Sequence, residues 1–305
     1  MGLRNIAWAT TALTLLSILF LVWLYPSAQD LMPGNPYWNG LRDFIRQSKA
    51  EMIESLDGLG PPQNTVLITI PYAPYRDDEL ERIKQFILDG GSLAVLDDFG
   101  QGNSILKYLG LQVRFSGTPL LDSLFNFKNA ELPQITNFEG RLKEKRLRSI
   151  LLNRPSSLLN VDSTSVLARS SESSFLDSNR NGSADTEEPG GWSFPVAAEM
   201  ALGEGKIVLI SDTSIAINSM IGREDNYRFL QETLRLEGKQ VIIDISHIPT
   251  SALDRAKREL GQTRKALSGR YTLTAVVFLT LVLALGPLWL QRNKEDVNGR
   301  RHQRT

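Results

Sequence analysis

The sequence predicts an α/β fold in which a parallel sheet carries a β-rich looped insertion and is flanked by two transmembrane helices. No charged residue lies between Arg4 and Asp30, nor between Arg270 and Arg292. Between these two runs, short apolar segments of strand type alternate with amphipathic helical ones, the pattern of βαβ units with parallel strands. A less regular middle, 116–192, interrupts the alternation.

The first run, 6–25, has about the 20 residues that a helix rising ~1.5 Å per residue needs to cross ~30 Å of hydrocarbon, and 271–290 matches it. Trp8, Trp23, Tyr25, Tyr271 and Trp289 lie near their ends, where amphipathic rings favour an interface. The alternative for the first run is a cleaved signal peptide. Its length exceeds the about 7 to 15 residues of a signal core, and Pro26-Ser27-Ala28 is a poor cleavage site, so 1–28 reads as an uncleaved anchor. Arg4 before the span and Asp30 after it place the amino terminus inside. A second helix, 271–291, then returns the basic tail, 292–305, to the same side. The basic stalk helix at 251–270 opposes the charge rule, but long translocated domains largely ignore charge. The expected location is a cell membrane, with both termini cytoplasmic and the main domain, 29–250, extracytoplasmic.

The 305 residues are 42% apolar and 22% charged, ordinary globular proportions. They include no cysteine, which excludes disulfides, thiolate metal sites and a cysteine nucleophile. An exported domain without disulfides points to a prokaryotic envelope. The net charge of zero argues against a nucleic-acid partner.

Within the domain, turn material at Pro33-Gly34-Asn35-Pro36 precedes a helix expected over 41–56. The run 65–70 (TVLITI) is a buried strand. An amphipathic helix at 77–88 turns Leu80, Ile83, Phe86 and Ile87 inward and is stopped by Gly90-Gly91, and 92–96 (SLAVL) is the next strand. A helix at 104–109 is capped by Gly110, and 111–115 is extended. Later, 196–201 and 206–210 form a hairpin around Gly203-Glu204-Gly205, and a helix at 225–236 and a strand at 241–245 close the domain.

The sharpest motif is 177–188, which meets the calcium-loop pattern D-x-[DN]-x-[DN]-G-x5-E at every fixed position. Oxygens from Asp177, Asn179 and Asn181 converge only if the chain turns at Gly182. The Ser183 carbonyl, Asp185 through a water and bidentate Glu188 complete the shell. Pro189-Gly190-Gly191 blocks a following helix, so the loop is expected to be structural, with a dissociation constant of about 10⁻⁴ to 10⁻³ M. The competing reading is an Asx-rich surface turn. A second constellation, Asp97, Asp98, Gly100, Gly102 and Asn103, lies between a strand and a helix, with Asp212 at the equivalent place after the 206–210 strand. Ligands bind at such strand ends, and glycines there admit an anion to backbone amides; the competing reading is that these residues turn the chain and cap helices. His247, just past an apolar strand, reads as structural. No G-x-S-x-G elbow occurs, which leans against an enzyme.

Pro36-Tyr37-Trp38-Asn39-Gly40, the run 77–100 with Gln101-Gly102-Asn103, and 205–212 with Asn218 and Asp225-Asn226 resemble an uncharacterised membrane family, domain of unknown function 4350. The resemblance implies a flavodoxin-like sheet related to class I glutamine amidotransferases. Because that class uses a cysteine and histidine pair, it also implies a non-catalytic relative. Association with MoxR-type ATPases or ABC-type transporter subunits is likewise implied by resemblance. The expected function is a membrane-anchored, non-catalytic binding or scaffold module of an envelope complex with a calcium loop. The alternatives are a metal-dependent hydrolase using Asp97, Asp98 and Asp212, or an accessory subunit of a transporter.

Overall fold

The computed structural model describes residues 3–267, which fall into two compact units: 26–250, and the terminal segments. The terminal unit contains helix α1 (Leu3–Leu24) and helix α6 (Ala252–Leu267), and Lys257 Nζ donates to the Tyr25 carbonyl. The second expected span, 271–291, and the tail, 292–305, lie outside the described residues. Within α1, Leu13, Leu16 and Phe20 are exposed. The hydroxyls of Thr10 and Thr11 donate to the Ala7 carbonyl and that of Thr14 to the Thr10 carbonyl. Ser17 follows, so the run free of hydroxyls is only 18–24, about two turns. Among the described residues no helix is long and apolar enough to cross a membrane. For the described residues this corrects the expectation of flanking transmembrane helices, and the two-span cell-membrane location with an extracytoplasmic domain is not supported.

In the 26–250 unit the remaining helices are α2 (Arg42–Ser48), α3 (Asp77–Leu88), α4 (Gly102–Tyr108) and α5 (Asn226–Leu234). The first nine strands are β1 (Glu51–Ile53), β2 (Thr65–Thr69), β3 (Ser92–Leu96), β4 (Arg114–Phe115), β5 (Leu120–Asp122), β6 (Gln134–Ile135), β7 (Asn137–Phe138), β8 (Ile150–Leu151) and β9 (Leu158–Leu159). The rest are β10 (Val166–Arg169), β11 (Ser174–Leu176), β12 (Pro195–Leu202), β13 (Gly205–Ile210) and β14 (Gln240–Asp244).

Eight strands form one sheet in the order β1-β14-β2-β3-β13-β12-β10-β7. The first five are mutually parallel, whereas β12, β10 and β7 continue the sheet antiparallel. The sheet is therefore mixed, not parallel throughout. The tight β12–β13 hairpin forces one reversal, and two strands from the 116–192 segment extend it. That segment's other strands pair in short ladders, β4 with β9, β5 with β11 and β6 with β8.

Alternation along the parallel strands builds both faces. Val66, Ile68, Ala94, Leu96, Val208, Ile210, Val241 and Ile243 pack with Phe44 of α2 and with Phe229, Leu230 and Leu234 of α5. Leu67, Leu93, Val95, Ile207, Leu209 and Ile242 pack with Ile83, Phe86 and Ile87 of α3 and with Ile105 and Leu106 of α4. Each of these side chains larger than alanine contributes about 1.5 to 3 kcal/mol of burial. The connections through α3 carry the chain from β2 to β3, and α5 returns it to β14 on the other side of β2. The parallel order thus reverses between β2 and β14.

The helix expected over 41–56 ends early. Lys49 takes the left-handed conformation (φ 55°) and its N–H closes on Ile45 O, after which the chain turns into edge strand β1 beside β14. Helix α3 keeps the bounds its amphipathic pattern predicts.

Candidate functional site

Strands β2, β3 and β13 are neighbours, so their carboxyl ends open on one edge, where β3 runs into Asp97-Asp98 and β13 into Ser211-Asp212. Asp97 turns its carboxylate back on the loop: Gly100 N–H donates to Oδ1 and Gly102 N–H to Oδ2, each at 2.7 Å. A Cβ on Gly100 would stand 2.6 Å from Asp97 Oδ1 and from Pro71 O, and one on Gly102 2.6 Å from Asp97 Oδ2. The glycines are therefore demanded by a carboxylate of the chain itself, and these two amides are already used. Asn103 exchanges two 2.9 Å bonds with the backbone of Phe115, tying α4 to β4. The fully buried Asp212 accepts from Asn153 N–H at 2.8 Å and Ser214 N–H at 2.7 Å.

The electrostatics of this edge follow from burial. Desolvation pushes the Asp212 carboxyl up to about 8 and that of Asp97 to about 6, against the bonds they accept, and it raises Asp98 as well. The Tyr72 phenol is raised by burial and then by Asp98, Asp30, Asp97 and Asp212. Asp97, Asp98 and Asp212 thus share one edge of the sheet and act together on the Tyr72 phenol, while Gly100, Gly102 and Asn103 shape the turn. Among the described residues no three His, Cys, Asp or Glu side chains form a group that could hold a metal. The aspartate trio is not assembled as a metal centre.

The crevice where strand order reverses, between the carboxyl ends of β2 and β14, is where open α/β sheets usually bind ligands. Here the chain fills it. The Tyr75 ring stacks on His247 with centroids 3.5 Å apart at 17°. Tyr75 Oη donates to Asp244 Oδ2 at 2.8 Å, and His247 Nδ1 lies 2.9 Å from the same oxygen. His247 Nε2 lies 3.3 Å from Glu79 Oε2, which also accepts from Arg76 N–H at the start of α3. All four side chains are buried. Burial would raise the Asp244 carboxyl, but bonds from His247, Ser246 and Tyr75 outweigh it and hold Asp244 below its ordinary value. Spacing alone does not join His247 to Tyr75 and Glu79, which sit far upstream; the pairing of β14 with β2 brings them together.

The 177–188 loop follows β11. Asp177, itself buried, accepts from Asn181 N–H (3.0 Å) and Gly182 N–H (3.1 Å). Asn179 Oδ1 accepts from Asn181 N–H and Asn181 Oδ1 from Ser183 N–H, two successive Asx turns. Gly182 holds φ +77°, as the pattern requires. Both Asn179 Nδ2 and Asn181 Nδ2 donate to Asp185 Oδ2, at 2.7 and 2.8 Å. Glu188 Oε1 accepts from Ser178 and Asn179 N–H, whereas its buried Oε2 has no partner. A polar concavity is lined by Ser178, Asn179, Asp185, Thr186, Glu187 and Glu188. The loop is thus coiled around its own oxygens. Carboxylates alone do not make a metal group here, so a cation would rely equally on the amide oxygens of Asn179 and Asn181 and the Ser183 carbonyl.

Fold and sites together define a mixed α/β domain with a polar loop grafted on its insertion. The chain belongs to the family described as Domain of unknown function (DUF4350), whose model matches residues 33–234. No curated protein matches it. Among solved structures, the mmIFT52 N-terminal domain aligns with TM-score 0.47 at 10% identity, over 69% of this chain and 95% of that one. Cytoplasmic Protein STM3548 from Salmonella typhimurium gives 0.35 at 11%, over 65% and 85%. A beta-galactosidase from Bacillus circulans sp. alkalophilus gives 0.34 at 13%, over 58% of this chain but only 23% of its own. Similarities at this level assign no function.

Proposed function

We propose that this chain is a non-catalytic binding or scaffold module whose loop 177–188 takes a calcium ion through Asp177, Asn179, Asn181, Ser183, Asp185 and Glu188. The observation that carries the reading is Glu188: one oxygen is anchored on two loop amides while the other is buried without a partner, a cost that a cation would remove. Asp185 gives the same indication, because two amide N–H groups supply the positive potential that a cation would. Calcium supplies a hard positive centre for carboxylate, amide and carbonyl oxygens. The module reading is supported by the carboxyl edge, where Asp97, Asn103 and Asp212 all hold the chain's own backbone. An amidotransferase-like ancestry fits the five parallel strands, and a chain without cysteine lacks that class's nucleophile. Partners of the MoxR-type ATPase or transporter-subunit class are proposed from the same kinship and are tested by co-purification.

The calcium reading is tested by thermal unfolding of the full chain in millimolar calcium against chelator. At the affinity expected, calcium raises Tm by about 2 to 6 °C. Glu188→Gln and Asp177→Asn abolish the rise. An identical melt in calcium and chelator for the unmodified chain sinks the proposal.

A further inference from the structure

At the opposite end of the sheet, the amino ends of β3, β13 and β14 bring three cations onto one carboxylate and a fourth, Lys239, close enough to act on them. Glu199 on β12 receives Arg141 through both oxygens, at 3.1 and 2.8 Å. Arg235, just after α5, donates to Glu199 Oε1 at 3.1 Å, and Lys206 Nζ on β13 lies 3.5 Å from Oε2. Lys239 Nζ, ahead of β14, donates to Ser92 Oγ at 3.4 Å. Arg141 is further satisfied by the Glu232 and Thr233 carbonyls at the end of α5, which also neutralises the negative end of that helix. Among the described residues, Glu199 is the acid that acts on both lysines. Glu232 is held by Lys145 at 2.8 Å, and Glu237 is exposed and not among the charges that act on either lysine. The side chains of Lys206 and Glu199 are only 16% and 18% exposed, so solvent screens the excess poorly, whereas that of Arg235 is 51% exposed and leaves the cluster reachable.

We propose that this cluster, Lys206, Arg235 and Lys239 above the Arg141–Glu199 pair, is a binding site for an oxyanion of the phosphate class, as free phosphate or as a phosphomonoester. Burial, then Arg235, Lys239 and Arg141, pushes the Lys206 ammonium down to about 8 in spite of Glu199, and Lys239 is lowered too. A dianion seated among them supplies the missing charge and accepts hydrogen bonds from a guanidinium fork and two ammonium groups.

The test uses the full chain in chelator, so that it is independent of the calcium reading. Inorganic phosphate and glycerol phosphate are titrated separately, with phosphorus NMR and thermal unfolding as readouts. Binding of either probe, with a rise in Tm that weakens at least tenfold in affinity in Lys239→Gln and in Arg235→Gln but not in the distant Lys107→Gln, supports the site. The probe that binds more tightly identifies the source of the oxyanion. A second measurement follows acylation of Lys206 by mass spectrometry, which the bound probe slows. No binding of either probe, or binding unchanged in both cluster variants, overturns the proposal.

Discussion

Asp212 shows how far a single carboxyl can shape the molecule's response to pH. It has no exposure, and burial raises its folded pKa to about 8 from an ordinary value of 3.8. For an acid with a raised folded pKa, the native state holds the proton that the unfolded state has lost. Stability from this group is therefore complete below about pH 4 and is lost as pH rises toward 8. The slope is at most one proton's worth, about 1.4 kcal/mol per pH unit. Urea unfolding from pH 5 to 8 is expected to show stability falling with pH, with Asp97 and Asp98 adding in the same direction. Asp212→Asn flattens that slope. It begins less stable by about 1 to 3 kcal/mol, because a carboxamide turns its NH₂, which cannot accept, toward one of the two amides of Asn153 and Ser214, whereas the hydroxyl oxygen of a carboxylic acid can still accept. Equal slopes in the two proteins would exclude this role. Asp97 illustrates the limit of reading sites from sequence. A strand followed by Gly-x-Gly announces amides converging on an anion, and the motif is correct to that extent. That the anion is the chain's own aspartate depends on a side-chain rotamer that no spacing rule specifies.

At the level of elements, what was legible was whatever local periodicity determines. Helix α3 has four apolar residues on one stripe, acids in its first turn and Gly-Gly behind it, so its limits follow from sequence. Strands β2 and β3 are unbroken apolar runs because helices cover both faces. Helix α2 and β1 were not separable, since Met52 and Ile53 continue a helical spacing with Phe44 and Ile45. The break is made by Lys49, a residue that does not advertise a left-handed turn. That position yields a prediction. Replacing Lys49 by glycine removes the Cβ cost of φ 55° at a helix C-terminus, and the gain exceeds glycine's added unfolded-state entropy. Lys49→Gly is expected to raise stability by about 0.5 to 1 kcal/mol by urea unfolding. A loss would mean that the lysine side chain holds the turn through contacts worth more than the strain.

Across the 26–250 unit, stability is unevenly distributed in a way that hydrogen exchange can read. The strands β2, β3, β13 and β14 are buried on both faces and pair with neighbours along their whole length, so their amides open only with the whole unit. The ladders β4–β9 and β6–β8 are two residues long, and the 177–188 loop is held by side-chain bonds among mostly exposed groups. Native-state exchange of the full chain is expected to show the slowest amides in those four strands and protection lower by at least tenfold in the short ladders. Adding calcium is expected to slow Asn181, Gly182 and Ser183, whose N–H groups close the loop's turns. It also slows β11 and its partner β5, because the loop leaves directly from Leu176, paired with Leu120. The central strands should slow only by the factor that calcium adds to global unfolding, and the β4–β9 and β6–β8 ladders, which open without releasing the ion, should not change. Calcium protection that also reached the β4–β9 and β6–β8 ladders would mean that the ion acts away from the loop, and protection absent from 177–188 would remove the loop from the ion's site.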